Sequence, residues 1–191
     1  FETCERALEI LRDQCTGVTW EITATQRFLL TSLMYLGEMG EVSRRMHSIL
    51  AAGEEQGNRY ARTDLRTRLN FMWLADDEPD TARAEVEEAM GEWSHGRMHL
   101  QHYNSVLALT QADLYSGASM AAWNRINEQW PVMVKSMLMR IQVLRIETMH
   151  LRARSAIAAA VSGGKALPFL QDAKQIAGRI AKEKMFWSEP I

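Results

Sequence analysis

The chain has 191 residues, of which 47% are hydrophobic and 24% charged, with four prolines and eleven glycines. This length can bury one core or build a short array of stacked units, and the composition excludes a disordered or fibrous chain. The formal net charge of −2 gives no overall field that attracts polyanions, so we expect no nucleic acid and no membrane as partners.

Two cysteines, Cys4 and Cys15, lie eleven residues apart, within the first predicted helix and directly after its end. Eleven residues of helix separate them by about 16 Å, which is beyond the reach of a disulfide. We therefore expect reduced thiols and a cytoplasmic location. The longest apolar runs, such as AIAAAV, are far shorter than the ~20 residues of a membrane span. The sequence begins at Phe1 and not at a methionine, so we expect an excerpt of a longer chain.

Helical segments separated by short breaks account for nearly the whole chain. Each break contains glycine, proline or a short polar residue that can end one helix or cap the next. We predict an all-α single domain over 1–191, with about eight or nine helices and a linker at 162–168. The predicted helices are 2–14, 20–36, 41–55, 59–75, 81–93, 98–116, 119–129, 132–161 and 168–184.

Two stripes run along the predicted helix at 98–116. Large residues follow helical spacing on one side: Leu100, Tyr103, Leu107 and Leu114. Small residues form the other stripe: Ser105, Ala108 and Ala112. A helix of this kind packs on both sides, because small residues let a neighbouring backbone come close. The pattern predicts the inner layer of a stack of antiparallel helix pairs.

The segments LMYLGEMGEVSRRM, FMWLADDEPDTARAEV and DLYSGASMAAWNRI share one plan. Each runs from an aromatic-rich helix end through a short break into a second helix. Tyr35, Trp73 and Tyr115 recur at separations of 38 and 42. A period of ~40 residues is that of a helical-repeat array, an α-solenoid. We expect these three aromatic residues to occupy similar places near the ends of consecutive inner helices.

Several segments resemble a known family. They are CERALEILRDQCTGVTWE, TDLRTRLNFMWLADDEPDTARAEVEEAMGEWS, HLQHYNSVLALTQADLYSG, AAWNRINEQWP and LRARSAIAAA. Together they resemble the helical-repeat region C-terminal to the catalytic domain of large bacterial serine/threonine protein kinases. This resemblance implies a tetratricopeptide-like fold and a regulatory or recruiting role. The kinase motifs themselves are missing from the sequence, so the resemblance does not imply catalysis by this chain.

Metal binding and catalysis have little support in the sequence. His95, His99 and His102 lie at spacings of four and three, but no further cysteine or carboxylate follows at ligand spacing. We therefore interpret them as a loop and a helix start and expect no metal and no cofactor. No serine, cysteine or lysine has a recognisable nucleophile setting, and we expect this chain to be non-catalytic.

Polar residues on two presumed inner helices are the candidate binding site. They are Arg62, Arg66 and Asn70 on one helix, and Asn104 and Gln111 on another. If these helices line a groove, such side chains can hydrogen-bond an extended peptide or an acidic ligand. The alternative is that they face solvent or pair with glutamates of neighbouring helices.

Three functions are consistent with these observations. The first is binding of a protein or peptide partner by a non-catalytic module of a kinase. The second is small-molecule sensing, and the third is an enzyme whose site the sequence does not reveal. A polar groove favours a peptide, an enclosed apolar pocket favours a small ligand, and a cleft of titratable residues favours catalysis.

Overall fold

The computed structural model describes residues 1–93, 96–162 and 166–185. These residues form ten α-helices and one short 3₁₀ helix and contain no strand, which confirms the all-α prediction. The α-helices are Glu2–Gln14 (α1), Thr19–Leu36 (α2), Met39–Glu55 (α3), Arg59–Arg68 (α4), Phe71–Ala75 (α5), Pro79–Gly91 (α6), Leu100–Tyr115 (α7), Ser119–Lys135 (α8), Gln142–Ser162 (α9) and Ala166–Ala181 (α10), and the 3₁₀ helix is Met137–Arg140.

The predicted helix at 59–75 is interrupted between α4 and α5. Asn70 lies in the interruption, and its side-chain amide donates to the carbonyl of Arg66 at 3.1 Å and to that of Ala82 at 2.7 Å. A side chain that bonds the backbone in this way competes with the helical hydrogen-bond ladder. The contact also fixes α6, which carries Ala82, against the junction.

The predicted helix end at Trp130–Pro131 was wrong, because α8 continues through Pro131 to Lys135. Ile126 and Met133, on either side of the proline, are both fully buried. Burial of this face outweighs the single backbone hydrogen bond that proline removes. The segment predicted as one helix at 132–161 therefore contains the end of α8, the 3₁₀ helix and α9.

The predicted linker at 162–168 is only partly described. Residues 163–165 lie outside the described ranges, α9 ends at Ser162, and α10 begins at Ala166. The last helix thus starts two residues earlier than the predicted position 168. Residues 186–191 of the predicted domain also lie outside the described ranges.

The helices pack in chain order, and α7 has the most neighbours. Helices α1 to α4 contact one another in series, α6 contacts α4 and α5, and α7 to α10 again follow in series. In addition, α7 contacts α4, α5 and α9. The large and small stripes of α7 explain why it packs against helices on both of its sides. Tyr103 and Leu107 are buried with residues of α8 and α9, whereas Ala112 packs against Leu74 and Ala82 on the other side, as predicted.

Four of the described helix-to-helix turns have the same geometry, and they lie at spacings of 20, 20 and 40 residues. Gly37, Gly57, Asp77 and Gly117 follow α2, α3, α5 and α7 with φ angles of 80°, 62°, 61° and 73°. After each of them, the next amide donates to the carbonyl five residues earlier, at 3.0, 2.8, 2.8 and 2.8 Å. This is the Schellman ending of a helix, and aspartate is one of the few residues besides glycine that tolerate the left-handed conformation.

The turn spacing corrects the alignment of the three aromatic residues. Tyr35 and Tyr115 both precede the left-handed residue by two positions, and both are exposed. Trp73 precedes Asp77 by four positions and is partly buried against the cluster of Leu74 and α6. The prediction of similar places therefore holds for the two tyrosines and was wrong for Trp73. The sequence alignment had paired residues by their aromatic character and not by their distance from the helix end.

Candidate protein-interaction face

Arg62 and Arg66 form ion pairs within the chain. Arg62 lies 3.1 Å from Glu92, just after α6. Arg66 is buried and lies within 3.3 Å of three carboxylates, which belong to Glu54 of α3 and to Glu85 and Glu88 of α6. Both guanidinium groups are thus held toward α3 and α6, as in the alternative interpretation of the sequence. Their role in binding a partner stays a prediction.

The other three predicted residues, Asn70, Asn104 and Gln111, come together. They border a cavity of about 20 Å³ between the α4–α5 junction and α7. Asn70 and Asn104 are buried, and neither amide atom of Asn104 has a hydrogen-bond partner among the described residues. A cavity of this volume accommodates a water molecule and not a peptide. The structure thus brings these three residues together around a water-sized cavity, and their role in binding a partner stays a prediction.

An exposed aromatic row runs along α2. Trp20, Phe28 and Tyr35 are 62%, 55% and 74% exposed, whereas Leu30 and Leu33 on the opposite side are buried. At 100° per residue, the three aromatic positions fall within an arc of about 80° on the helix. We call this row the aromatic face.

An ion pair next to the aromatic face joins α2 to α4. Nε of Arg27 lies 3.4 Å from Oδ2 of Asp64, and the same guanidinium lies 4.6 Å from the ring centre of Phe28. Asp64 is 1% exposed. Burial raises the pKa of its carboxyl to about 6, although Arg27 and Arg68 act in the opposite direction. The carboxylate is thus held where water cannot solvate it well.

A second ion pair connects α4 with α9 across α7. Arg68 donates to Oε1 of Glu147 at 2.7 Å, and the hydroxyl of Tyr103 donates to Oε2 of the same carboxylate at 2.9 Å. Burial lowers the pKa of Arg68, but Glu147 more than offsets it, so the pKa is raised overall. Burial raises the pKa of Tyr103, and Glu147 adds to the increase. This contact therefore ties α4 to α9 beside Tyr103 of α7.

Asp64 and Arg68 were missed by the sequence analysis. They lie four residues apart on α4, in a row adjacent to that of Arg62 and Arg66. Both rows combine polar side chains with helical spacing, so spacing alone cannot choose between them. The sequence therefore held no signal that could select the row of Asp64 and Arg68.

The histidines have a structural role in the part of the chain that is described. His95 lies outside the described residues. The backbone amide of His99 donates to Nδ1 of His102 at 3.2 Å, at the start of α7. No group of three histidine, cysteine or acidic residues within the described ranges could hold a metal ion. Cys4 and Cys15 are both unpaired cysteines in the structure, Cys4 partly buried and Cys15 exposed.

Comparison with protein families, with curated proteins and with solved structures finds no match. Among the described helices, none combines the length and apolar content needed to cross a membrane.

Proposed function

We propose that this chain is a non-catalytic helical-repeat module that binds a protein segment on its aromatic face. In this proposal the helices form an α-solenoid of tetratricopeptide-like antiparallel pairs. The four similar turns, spaced at multiples of 20 residues, and the contacts of α7 with α4 and α9 support that arrangement. The resemblance to the helical-repeat region of bacterial serine/threonine kinases supports a regulatory or recruiting role for the module in a cytoplasmic protein.

The aromatic face is the observation that carries the proposal. Large exposed aromatic side chains are uncommon on a surface that only meets water, and Trp20, Phe28 and Tyr35 share one side of a single helix. Tryptophan and tyrosine dominate the energetics of many interfaces because they bury a large area at a low cost in conformational entropy.

The ion pairs beside this face indicate which side chains a partner needs for binding. The charges of Arg27 and Asp64 already compensate each other, as do those of Arg68 and Glu147. A bound segment therefore gains most from apolar side chains placed over Trp20 and its neighbours on α2, since it meets few uncompensated charges there. We propose an amphipathic protein segment whose apolar side packs on the aromatic face.

Selection from a library of displayed random peptides tests the proposal. Peptides that bind the native chain are re-measured against Trp20→Ser/Phe28→Ser and against a control, Ile157→Ser/Val161→Ser, which removes exposed apolar side chains at the end of α9. We expect the first variant to weaken binding about tenfold or more and the control to leave it unchanged. Equal binding by both variants, each folded by circular dichroism, would overturn the proposal.

A further inference from the structure

A separate concave site lies where α8, the 3₁₀ helix, α9 and α10 meet. It is a pocket of about 540 Å³, and its apolar lining includes Trp130, Met139 and Met149. Met139 and Met149 are buried, and the ring of Trp130 is held by the guanidinium of Arg152 at 4.8 Å from its centre. The volume falls in the range of small-molecule sites, which is about 300–1,000 Å³.

The pocket is strongly cationic although the chain has a net charge of −2. Its charged lining consists of five cations and one carboxylate: Lys135, Arg140, Arg145, Arg179, Lys182 and Glu183. Arg145 and Glu183 satisfy each other through two hydrogen bonds of 2.6 Å. Four positive charges therefore remain uncompensated within the described lining, and all four side chains are exposed to solvent.

Arg145 has a positioning role in this pocket. Besides its bonds to Glu183 of the segment after α10, it donates to the carbonyl of Met139 at 2.7 Å. Gln142 adds a hydrogen bond of 2.9 Å to the carbonyl of Glu183. These contacts tie the 3₁₀ helix and α9 to the end of α10. The apolar floor, formed by Trp130, Met139 and Met149, and the cationic rim, formed by the exposed lysines and arginines, therefore keep their relative positions.

We propose that this pocket binds a small amphipathic organic anion, with its apolar body against Trp130 and the methionines and its phosphate, sulfate or carboxylate group among the cations. Apolar floor and cationic rim each recognise one part of such a ligand, whereas inorganic phosphate would meet only the rim. The site shares no residue with the aromatic face and is independent of the proposed function.

Titration with 1-anilinonaphthalene-8-sulfonate tests the inference, since this dye is an aromatic sulfonate that fluoresces in apolar sites. The pocket variant is Arg140→Ala/Lys182→Ala, and the matched control is Arg154→Ala/Lys174→Ala, which removes two exposed charges from α9 and α10 outside the pocket. We expect saturable binding to the native chain, about tenfold or more weaker in the pocket variant and unchanged in the control. Dodecyl phosphate should displace the dye at a concentration at least tenfold lower than inorganic phosphate.

Three results would overturn the inference. Equal dye affinity of the two double variants would show that the cations of the pocket are not used. Displacement by inorganic phosphate as readily as by dodecyl phosphate would show that the apolar floor is not used. Sedimentation of the chain with phosphatidylglycerol vesicles that is lost in the pocket variant, without displacement of the dye by free dodecyl phosphate, would make the site a membrane contact. Unchanged thermal unfolding serves as the folding control for both variants.

Discussion

Replacing Asp64 by asparagine should stabilise the protein at neutral pH. Asparagine has nearly the shape of a protonated aspartic acid but carries no charge in the buried site. Burial raises the pKa of Asp64 from its ordinary 3.8 to about 6, so the folded protein retains a proton that the unfolded chain releases between these values. The stabilisation from protonated Asp64 is fully present below pH 3.8 and is lost as the pH rises through about 6.

The size of the effect follows from the same two values. Each tenfold change in proton affinity corresponds to ~1.4 kcal/mol, so the interval from 3.8 to about 6 corresponds to about 3 kcal/mol. The raised value already includes the opposing attraction of Arg27 and Arg68. For a domain of this size, the corresponding increase in Tm is about 6–12 °C at pH 7.

Thermal and urea unfolding of both proteins between pH 4 and pH 7.5 measures this effect. We expect Asp64→Asn to match the native chain near pH 4 and to become more stable as the pH rises through 6. Asp13→Asn, a change of the same groups at an exposed position, is the matched control and should show a small difference at every pH. A difference for Asp64→Asn that does not change with pH, or a loss of stability at pH 7, would refute the reasoning.

Three further predictions concern stability. Arg68→Ala should lower the free energy of unfolding by about 1–3 kcal/mol. A double-mutant cycle with Glu147→Gln should give a coupling energy well above zero, and additive effects of the two changes would contradict a stabilising contact between α4 and α9. Ala108→Phe should lower the free energy of unfolding by ~1–3 kcal/mol or more, because the cavity beside Ala108 is only about 20 Å³. An unchanged denaturant midpoint would mean that α7 is loosely packed there. Arg66→Ala leaves three carboxylates facing one another, so its loss of about 1–2 kcal/mol should be larger in 20 mM than in 500 mM salt; a loss independent of salt would attribute it to packing.

The helices were predictable from the sequence where a regular apolar pattern ended at a strong signal. Helix α1 was predicted with its observed bounds, and the residues of α2 and α3 nearly so. The interruption at Asn70 was not predictable, because it depends on a hydrogen bond to Ala82, which only the packed structure brings close. Pro131 was misleading for the opposite reason, since burial of the flanking residues maintains a helix that local propensity would end.

The candidate site was less predictable than the fold. Helical spacing identifies a row of residues on a helix, but it does not say which row faces a neighbouring helix. Arg66 therefore looked like a groove residue although it belongs to a cluster with glutamates of α3 and α6. The exposure of Trp20 and Phe28 could not be read from the sequence either, because tryptophan and phenylalanine at helical spacing are most often part of a core.

The most direct test of the aromatic face is ¹⁹F NMR of the chain labelled with 5-fluorotryptophan, with a selected peptide added in steps. The chain has six tryptophans, and replacing Trp20 by phenylalanine identifies its resonance. We expect the Trp20 resonance to shift in proportion to saturation while that of Trp130, in the cationic pocket, stays in place. A bound peptide that shifts other tryptophans and leaves Trp20 unchanged would contradict the proposal that protein segments bind the aromatic face.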